Sequence, residues 1–264
     1  MKYIVGSSFG KDSMATTLVA LEKGVPIDEI LYCEVMFDKE ISGEVPEHRD
    51  FIYDKAIPFF EKHGIKTNVV RSDKTFVELF QKVVGSGNAA GKIWSWPLCG
   101  RCWVQRDLKV APLNKYRKEH FANQEITYYV GLAHDEDERI ARLNSNCVSL
   151  LDMYGIEEKQ TYPICNSHGM LSPIYDFSCR NGCFFCPNAK KKELRHLYDN
   201  HKDLWGALLE LQALPNKATE HFTRELRFCD IDEQFRLEDA QLTFFEDRSI
   251  TPFDTKRIND FERK

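Results

Sequence analysis

The stretch Tyr3-Ile4-Val5-Gly6-Ser7-Ser8-Phe9-Gly10-Lys11-Asp12-Ser13-Met14 decides the fold. Tyr3 to Val5 read as a short buried strand, and Gly6 to Gly10 as a turn of small residues. Asp12 to Lys23 read as a helix with Met14, Leu18 and Leu21 on one face, closed by Gly24. A strand that runs through such a turn into a helix start builds an anion site. The free amides of the first helical turn point at the ligand, and the helix dipole adds favourable potential. Lys11 contributes a point charge, and Ser8 and Ser13 contribute hydroxyls. Asp12 would repel a phosphate unless a cation bridged them or it capped the helix, so Mg²⁺ is expected in the site. The common phosphate loop, G-x-x-x-x-G-K followed by Ser or Thr, is not present: three residues separate Gly6 from Gly10, and Asp12 follows the lysine. The bland alternative is a tight strand–helix turn with an exposed lysine. The position directly after the first strand argues against it.

Outward from this stretch the alternation continues. Ile30 to Cys33 is a second strand, and a helix from Pro46 to about His63 is closed by Gly64. Thr67 to Val70 is a third strand, Thr75 to Val84 a helix, and Ile126 to Val130 another strand. Strands alternating with helices predict a three-layer α/β/α sandwich on a parallel sheet, with ligands at the carboxyl ends of the strands. That edge holds Ser7 to Ser13, the loop after Cys33 and the loop after Val130, which makes Glu34 a further candidate nucleotide contact. Residues 1–162 are expected to form this nucleotide-binding domain, including a first cysteine pair at 99–102. Residues 163–264 are expected to form a small cysteine-containing subdomain and a helical C-terminal region. In it, Pro163 to Lys192 read as irregular, Lys191 to Leu214 as a helix, and the chain after Pro215 as a charged tail with helical pieces. Gly85 to Lys92 read as a flexible loop.

With 264 residues the chain can bury a sizeable core. Its net charge of −5 gives no global field toward nucleic acid or anionic membrane, so any nucleic-acid contact needs a local basic patch. No apolar run approaches the roughly 18 residues of a membrane span. The N-terminus does not read as a signal peptide, so a cytoplasmic protein is expected. Nine cysteines in a reducing compartment point to metal or redox chemistry rather than disulfides.

Cys99-Gly100-Arg101-Cys102 and Cys183-Phe184-Phe185-Cys186 each offer two thiolates from one turn. Together they suit a four-sulfur zinc site, with a [4Fe-4S] cluster as the alternative. Cys165 and Cys179 complicate the count, whereas Cys33 and Cys147, among apolar neighbours, read as core. Trp94, Trp96 and Trp103 either pack around the cysteine knuckle or stack on a substrate ring. Lys190, Lys191, Lys192, Arg195 and His196 form the one basic run, a solvated helix face or a contact for a phosphate-rich acceptor. His134 is well placed for acid–base work near a strand end, and His168 is less so.

Ser8-Phe9-Gly10-Lys11-Asp12-Ser13 resembles the PP-loop of ATP pyrophosphatases, usually written S-G-G-K-D-S, with Phe9 at the second position. Within that superfamily the chain, from about Met1 to Leu211, looks like the phosphoadenosine phosphosulfate (PAPS) reductase family. The segments that carry this are Glu44-Val45-Pro46-Glu47-His48, Lys109-Val110-Ala111-Pro112-Leu113, Gly131-Leu132-Ala133-His134-Asp135-Glu136-Asp137-Glu138-Arg139, and Gly182-Cys183-Phe184-Phe185-Cys186-Pro187. The resemblance implies that Ser8 to Ser13 and Gly131 hold ATP or a related adenine nucleotide. It implies that Lys109 and Arg139 contact phosphate or sulfate, and that Asp135 and Glu136 bind Mg²⁺ or orient Arg139. Lys11, Asp12, Lys109 and Arg139 are then the catalytic candidates, and Cys99, Cys102, Cys183 and Cys186 the metal ligands. The family's reductases carry an E-C-G-x-H-like segment near the C-terminus. Here Cys229 lies instead in Arg227-Phe228-Cys229-Asp230, which counts against PAPS reduction. The expected activity is adenylation of an acceptor with pyrophosphate release, coupled to sulfur transfer. A sulfonucleotide reductase or sulfotransferase, and a non-catalytic nucleotide sensor in DNA modification or defence, are the alternatives. The expected partners are a small nucleotide and an acceptor that is a nucleic acid or a sulfur donor. No membrane is expected, and a homodimer is an option.

Overall fold

The computed structural model describes residues 1–97, 102–122 and 124–247, the last six by backbone alone. At its centre are the parallel strands β1 (Lys2–Ser7), β2 (Glu29–Glu34), β3 (Lys66–Arg71), β4 (Ile126–Tyr129) and β5 (Cys147–Val148), in the order β3-β2-β1-β4-β5. The expected α/β architecture is present. The central strands are apolar on both sides because helices cover both faces of the sheet. Val5, Ile30, Tyr32 and Tyr129 face a core completed by α1 (Lys11–Glu22) and α3 (Ile57–Lys62). The alternate residues Ile4, Leu31 and Tyr128 face a second core under α5 (Ala111–Phe121).

The helix expected from Pro46 to His63 is continuous in path but not in hydrogen bonding. It consists of α2 (Pro46–Asp50), a π-helical stretch Phe51–Ala56, and α3. A second π-helical stretch, Val104–Val110, leads into α5. Both stretches end just before a proline near the start of the next helix, Pro58 and Pro112. Mid-helix proline has no N–H, and its ring crowds the carbonyl four residues back. A widened turn moves that carbonyl aside.

Helix α4 (Phe76–Phe80) opens with a capping box, Thr75 and Glu78, but stops well short of Val84. The Val84 amide donates to Lys92 O at 2.8 Å and Gly91 donates back to Val84 O at 2.9 Å, so the glycine-rich loop closes on itself. After α6 (Asp137–Ile140) and α7 (Leu150–Met153) comes α8 (Glu158–Ser167). It corrects the expectation of irregular chain from Pro163, because Pro163 lies inside this helix. The position expected to divide the chain, 162, also falls within it. Packing against α1, with Cys165 fully buried, offsets the hydrogen bond that Pro163 forfeits.

The helix expected from Lys191 to Leu214 is broken at His201 (φ −132°, ψ 65°) into α9 (Lys191–Asn200) and α10 (Lys202–Ala213). The expected tail contains α11 (Phe228–Asp247), 20 residues long. These helices and α4 enclose a third core of large rings, including Phe76, Trp96, Phe184, Phe185, Trp205, Phe222 and Phe228. Each such side chain contributes roughly 1.5–3 kcal/mol by burial. Among the described residues no helix is long and apolar enough to cross a membrane.

Candidate functional site

From β1 the chain moves outward to β2 and β3, then returns to the other side of β1 for β4 and β5. The crevice at such a reversal, beyond the carboxyl ends of the strands, is where an open sheet receives ligands. The loops after β1 and β4 flank it, and a glycine lets them meet. A Cβ on Gly131 would lie 2.6 Å from Ser13 N and 2.8 Å from the Asp12 carbonyl carbon. Gly10 is tight for another reason, since its Cβ would lie 2.6 Å from Asn181 Oδ1. Phe9 has φ +54°, a conformation that costs a non-glycine residue roughly 1–2 kcal/mol. Its ring is driven into the core, edge-on to Tyr32 at 5.4 Å, which offsets that cost. Phe9 therefore shapes the loop with its backbone, and its side chain does not face a ligand.

The first turn of α1 is held from the α8 side. Lys11 Nζ donates to Asp12 Oδ1 and to Glu158 Oε1, both at 2.7 Å. Thr161 Oγ1 donates to Asp12 Oδ1 at 3.1 Å, and the Lys11 amide donates to the Tyr175 hydroxyl at 2.7 Å. Burial opposes the Lys11 charge, but its hydrogen bonds to the two carboxylates prevail and raise its pKa. Asp135 accepts the Glu158 amide at 2.9 Å and so anchors the start of α8. The loop after β4, α8 and the first turn of α1 thus form one hydrogen-bonded assembly.

On the other side the loop meets the cysteine segment. Ser8 O accepts from Asn181 Nδ2 at 3.2 Å and from His48 Nε2 at 3.1 Å. A carbonyl only accepts, so His48 carries its proton on Nε2. Its Nδ1 lies 2.8 Å from Ser172 Oγ. Burial lowers the His48 pKa, so the ring is neutral and Nδ1 accepts from that hydroxyl. Cys183 pairs by backbone with Glu44, and the Phe184 amide donates to Gly43 O at 3.0 Å. Gly43 is needed there, because a Cβ would lie 2.8 Å from Val35 O and 2.9 Å from the Phe185 ring.

Behind this turn lie Lys109 and the thiols. Lys109 Nζ is 3.7 Å from Glu44 Oε1, and Glu44 Oε2 is buried with no hydrogen-bond partner among the described residues. Burial opposes the Lys109 charge, but Glu44, Cys183, Cys33 and Cys186 hold it protonated above the ordinary lysine range. Burial pushes the Cys183 thiol up to about 12; Lys109 lowers it, while Glu44, Cys186 and Cys102 raise it further. Cys102 and Cys183 pack against the same core, and the Cys186 amide donates to Cys183 O at 3.1 Å. Cys102 of the first C-x-x-C pair and the second pair, about eighty residues away in sequence, therefore share one region beside the loop after β1. Cys99 lies outside the described residues. The sulfurs of Cys102, Cys183 and Cys186 are not all gathered within 4.8 Å of one another.

Other candidates have different places. Glu34 is buried at the end of β2, where Arg71 Nε and Tyr53 Oη donate to Oε2 at 2.8 and 2.7 Å. Its carboxylate is thus spent on its own side of the sheet. Arg139 is exposed and paired with Glu136, which also accepts the Ala133 amide, so this arginine makes no contact with the loop among the described residues. His134 is exposed and bonds Asp152 at 2.8 Å, while His168 faces Glu22 at 3.2 Å. Cys33 and Cys165 are buried, but Cys147 is only half-buried, between core and surface. Trp96 is core, donating to Gln212 Oε1 at 3.0 Å, and Trp103 stacks on Phe76. Part of the basic run is paired: Lys191 with Glu238, Arg195 with Asp199 and Asp239, and His196 with Glu47, while Lys192 Nζ donates to Asp176 O at 2.9 Å. Glu158, Thr161, Tyr175 and Asn181 touch the loop without any local sequence signal, because packing alone brings them there.

No protein-family model matches the chain, and no curated protein sequence matches it. Among solved structures, the U34-tRNA thiolase NcsA from Methanococcus maripaludis with its [4Fe-4S] cluster is similar at a TM-score of 0.41 and 16% identity. The match covers 89% of this chain and 80% of that one.

Proposed function

We propose that this chain is a PP-loop ATP pyrophosphatase that adenylates an acceptor and serves sulfur transfer. The observation that carries the proposal is the direct seating of the cysteine turn on the nucleotide loop through Asn181 and Ser8. A cysteine knuckle used only as a staple has no need to touch the phosphate site.

The triphosphate docks on the loop amides and the first turn of α1. Lys11 neutralises charge as an acceptor oxygen attacks the α-phosphorus. The bond to the bridging oxygen breaks, pyrophosphate leaves with the electron pair, and the acceptor carries AMP. A sulfur nucleophile then displaces AMP. Asp12 and Glu158 already share one cation, the Lys11 ammonium, and as hard oxygen donors they suit Mg²⁺. Cys102, Cys183 and Cys186, with Cys99, would hold a thiolate-bound metal, and Lys109 offsets their charge. Four such thiolates suit either a tetrahedral zinc or a [4Fe-4S] cluster. When bound, such a group supplies an anionic sulfur face beside the loop.

A groove of about 740 Å³ beyond β3 is lined by Arg71, Lys74, Lys82, Arg106 and Lys115 and by Asp73, Asp107 and Glu119; Lys115 pairs with Asp73 and Arg106 with Asp107, and Lys82 Nζ lies 4.3 Å over the Trp94 ring. It supports a phosphate-bearing acceptor such as a nucleic acid. The test is product analysis with Mg–ATP and candidate acceptors. AMP and pyrophosphate should form, and Lys11→Met should lower their formation about 100-fold or more. Release of phosphate alone would refute the proposal.

A further inference from the structure

Glu47, His196 and His201 lie apart from the residues used above. Glu47 is in the first turn of α2, His196 near the end of α9, and His201 at the break before α10. Both histidines bring Nε2 to one oxygen, Glu47 Oε1, at 2.6 and 3.0 Å. One potential ligand atom from each residue lies within 4.8 Å of the other two, the sole such triple among the described residues. All three side chains are half-buried, between 19 and 29% exposed, so the cluster is within reach of solvent.

A hydrogen-bonding role explains this cluster incompletely. It directs two N–H groups at one carboxylate oxygen, while the other, Glu47 Oε2, is buried with no partner among the described residues. An unpaired buried acceptor costs about 1–3 kcal/mol. The His196 ring is also held as a ligand must be. It stacks on Phe177 with centroids 3.6 Å apart and planes 5° apart, and its Nδ1 faces the Asn200 side-chain amide at 3.3 Å. The same Asn200 Nδ2 donates to His196 O at 2.9 Å, which holds that side chain over the ring edge. Two imidazoles and one carboxylate are the donor set of metal sites that keep a coordination position open. Ligand atoms about 2.0 Å from one tetrahedral ion sit roughly 3.3 Å apart. Glu47 Oε1 lies about 0.7 Å short of that from His196 Nε2 and about 0.3 Å short from His201 Nε2, so binding an ion would need only a small outward shift of the carboxylate.

We propose that Glu47, His196 and His201 form a mononuclear site for a divalent first-row transition metal. The ion ties α2 to the hinge between α9 and α10. Residue 48, next in α2, is the histidine that donates to Ser8 O, so the tie bears on the nucleotide loop's support.

The test uses the full chain with cobalt(II) and zinc(II), each alone. Cobalt at this site should give weak visible bands without the near-ultraviolet charge transfer of thiolate ligation, which sets it apart from the cysteine centre. Zinc should raise the wild-type Tm. Glu47→Gln, His196→Gln and His201→Gln should each remove that nitrogen–oxygen cobalt spectrum or weaken its Kd about 100-fold or more. Any thiolate-bound metal should be untouched. The proposal is overturned if the wild type shows only thiolate-bound cobalt, or if folded Glu47→Gln and His196→Gln bind as the wild type does. Because His201 shapes a helix break, its variant is read only if its circular dichroism matches wild type. The isosteric Glu47→Gln and the wild-type zinc titration decide the matter without it.

Discussion

The loop from Ser8 to Ser13 and the cysteine turn touch each other, yet they are built in opposite ways. The loop is one contiguous run, Ser8 to Ser13, fixed by backbone conformation and by close approaches at Gly10 and Gly131. The cysteine centre draws on Glu44, Cys102, Lys109, Cys183 and Cys186, which only the folded sheet brings together. A contiguous site is readable in sequence and is shaped by local sterics. A dispersed site depends on every element that carries a piece of it.

The largest effect tests the loop's backbone. Phe9→Ala should destabilise the protein by about 3–5 kcal/mol in urea unfolding, through the lost ring. Phe9→Gly should cost about 1 kcal/mol less, because glycine accepts a positive φ without strain. A glycine variant less stable than the alanine variant would show that conformation is not the constraint. Next, Gly131→Ala should push a methyl group onto the backbone of Asp12 and Ser13. About 1–3 kcal/mol of stability should be lost, with nucleotide affinity down tenfold or more, as read by calorimetry. Unchanged affinity would separate the β4 loop from the nucleotide site.

A smaller effect concerns the self-pairing of Lys11. Glu158→Gln removes a carboxylate that competes with phosphate for the ammonium, so metal-free ATP should bind a few-fold more tightly, about 1 kcal/mol or less. Weaker binding confined to Mg–ATP would instead identify Glu158 as a metal contact. The smallest effect is at His134, where the hydrogen bond that its Nδ1–H donates to Asp152 raises the imidazole pKa. A raised histidine pKa stabilises the fold below the unfolded value of about 6.5, and the benefit fades as pH rises through the folded value. Asp152→Asn should therefore lower the Tm slightly at about pH 5.5 and leave this contribution unchanged at about pH 8.5. An NMR titration placing His134 at or below 6.5 in the wild type would contradict this.

The parallel sheet and its ligand edge were legible because strand, turn and helix signals alternate regularly from Tyr3 to Val70. Boundaries failed where a distant contact overrode local preference. Helix α4 ends early because Val84 pairs with Lys92, and α8 carries Pro163 because α1 packs beside it. The break at His201 had no signal in a leucine-patterned run. Lys11, Asp12 and Gly131, singled out from their motifs, lie together at the start of α1. Glu158, Tyr175 and Asn181 were missed, since nothing near them in the chain marks a phosphate loop. Arg139, expected from the family-like segment Gly131 to Arg139, lies paired with Glu136.

The central claim is that the nucleotide loop and the thiols work as one site. The most direct test follows the visible absorption of the thiolate-bound metal, iron or substituted cobalt, in anaerobic full-length protein during titration with Mg–ATP. The spectrum should shift and saturate at the nucleotide's own Kd, and Asn181→Ala should reduce the shift. Saturating ATP binding with an unchanged metal spectrum would contradict the account.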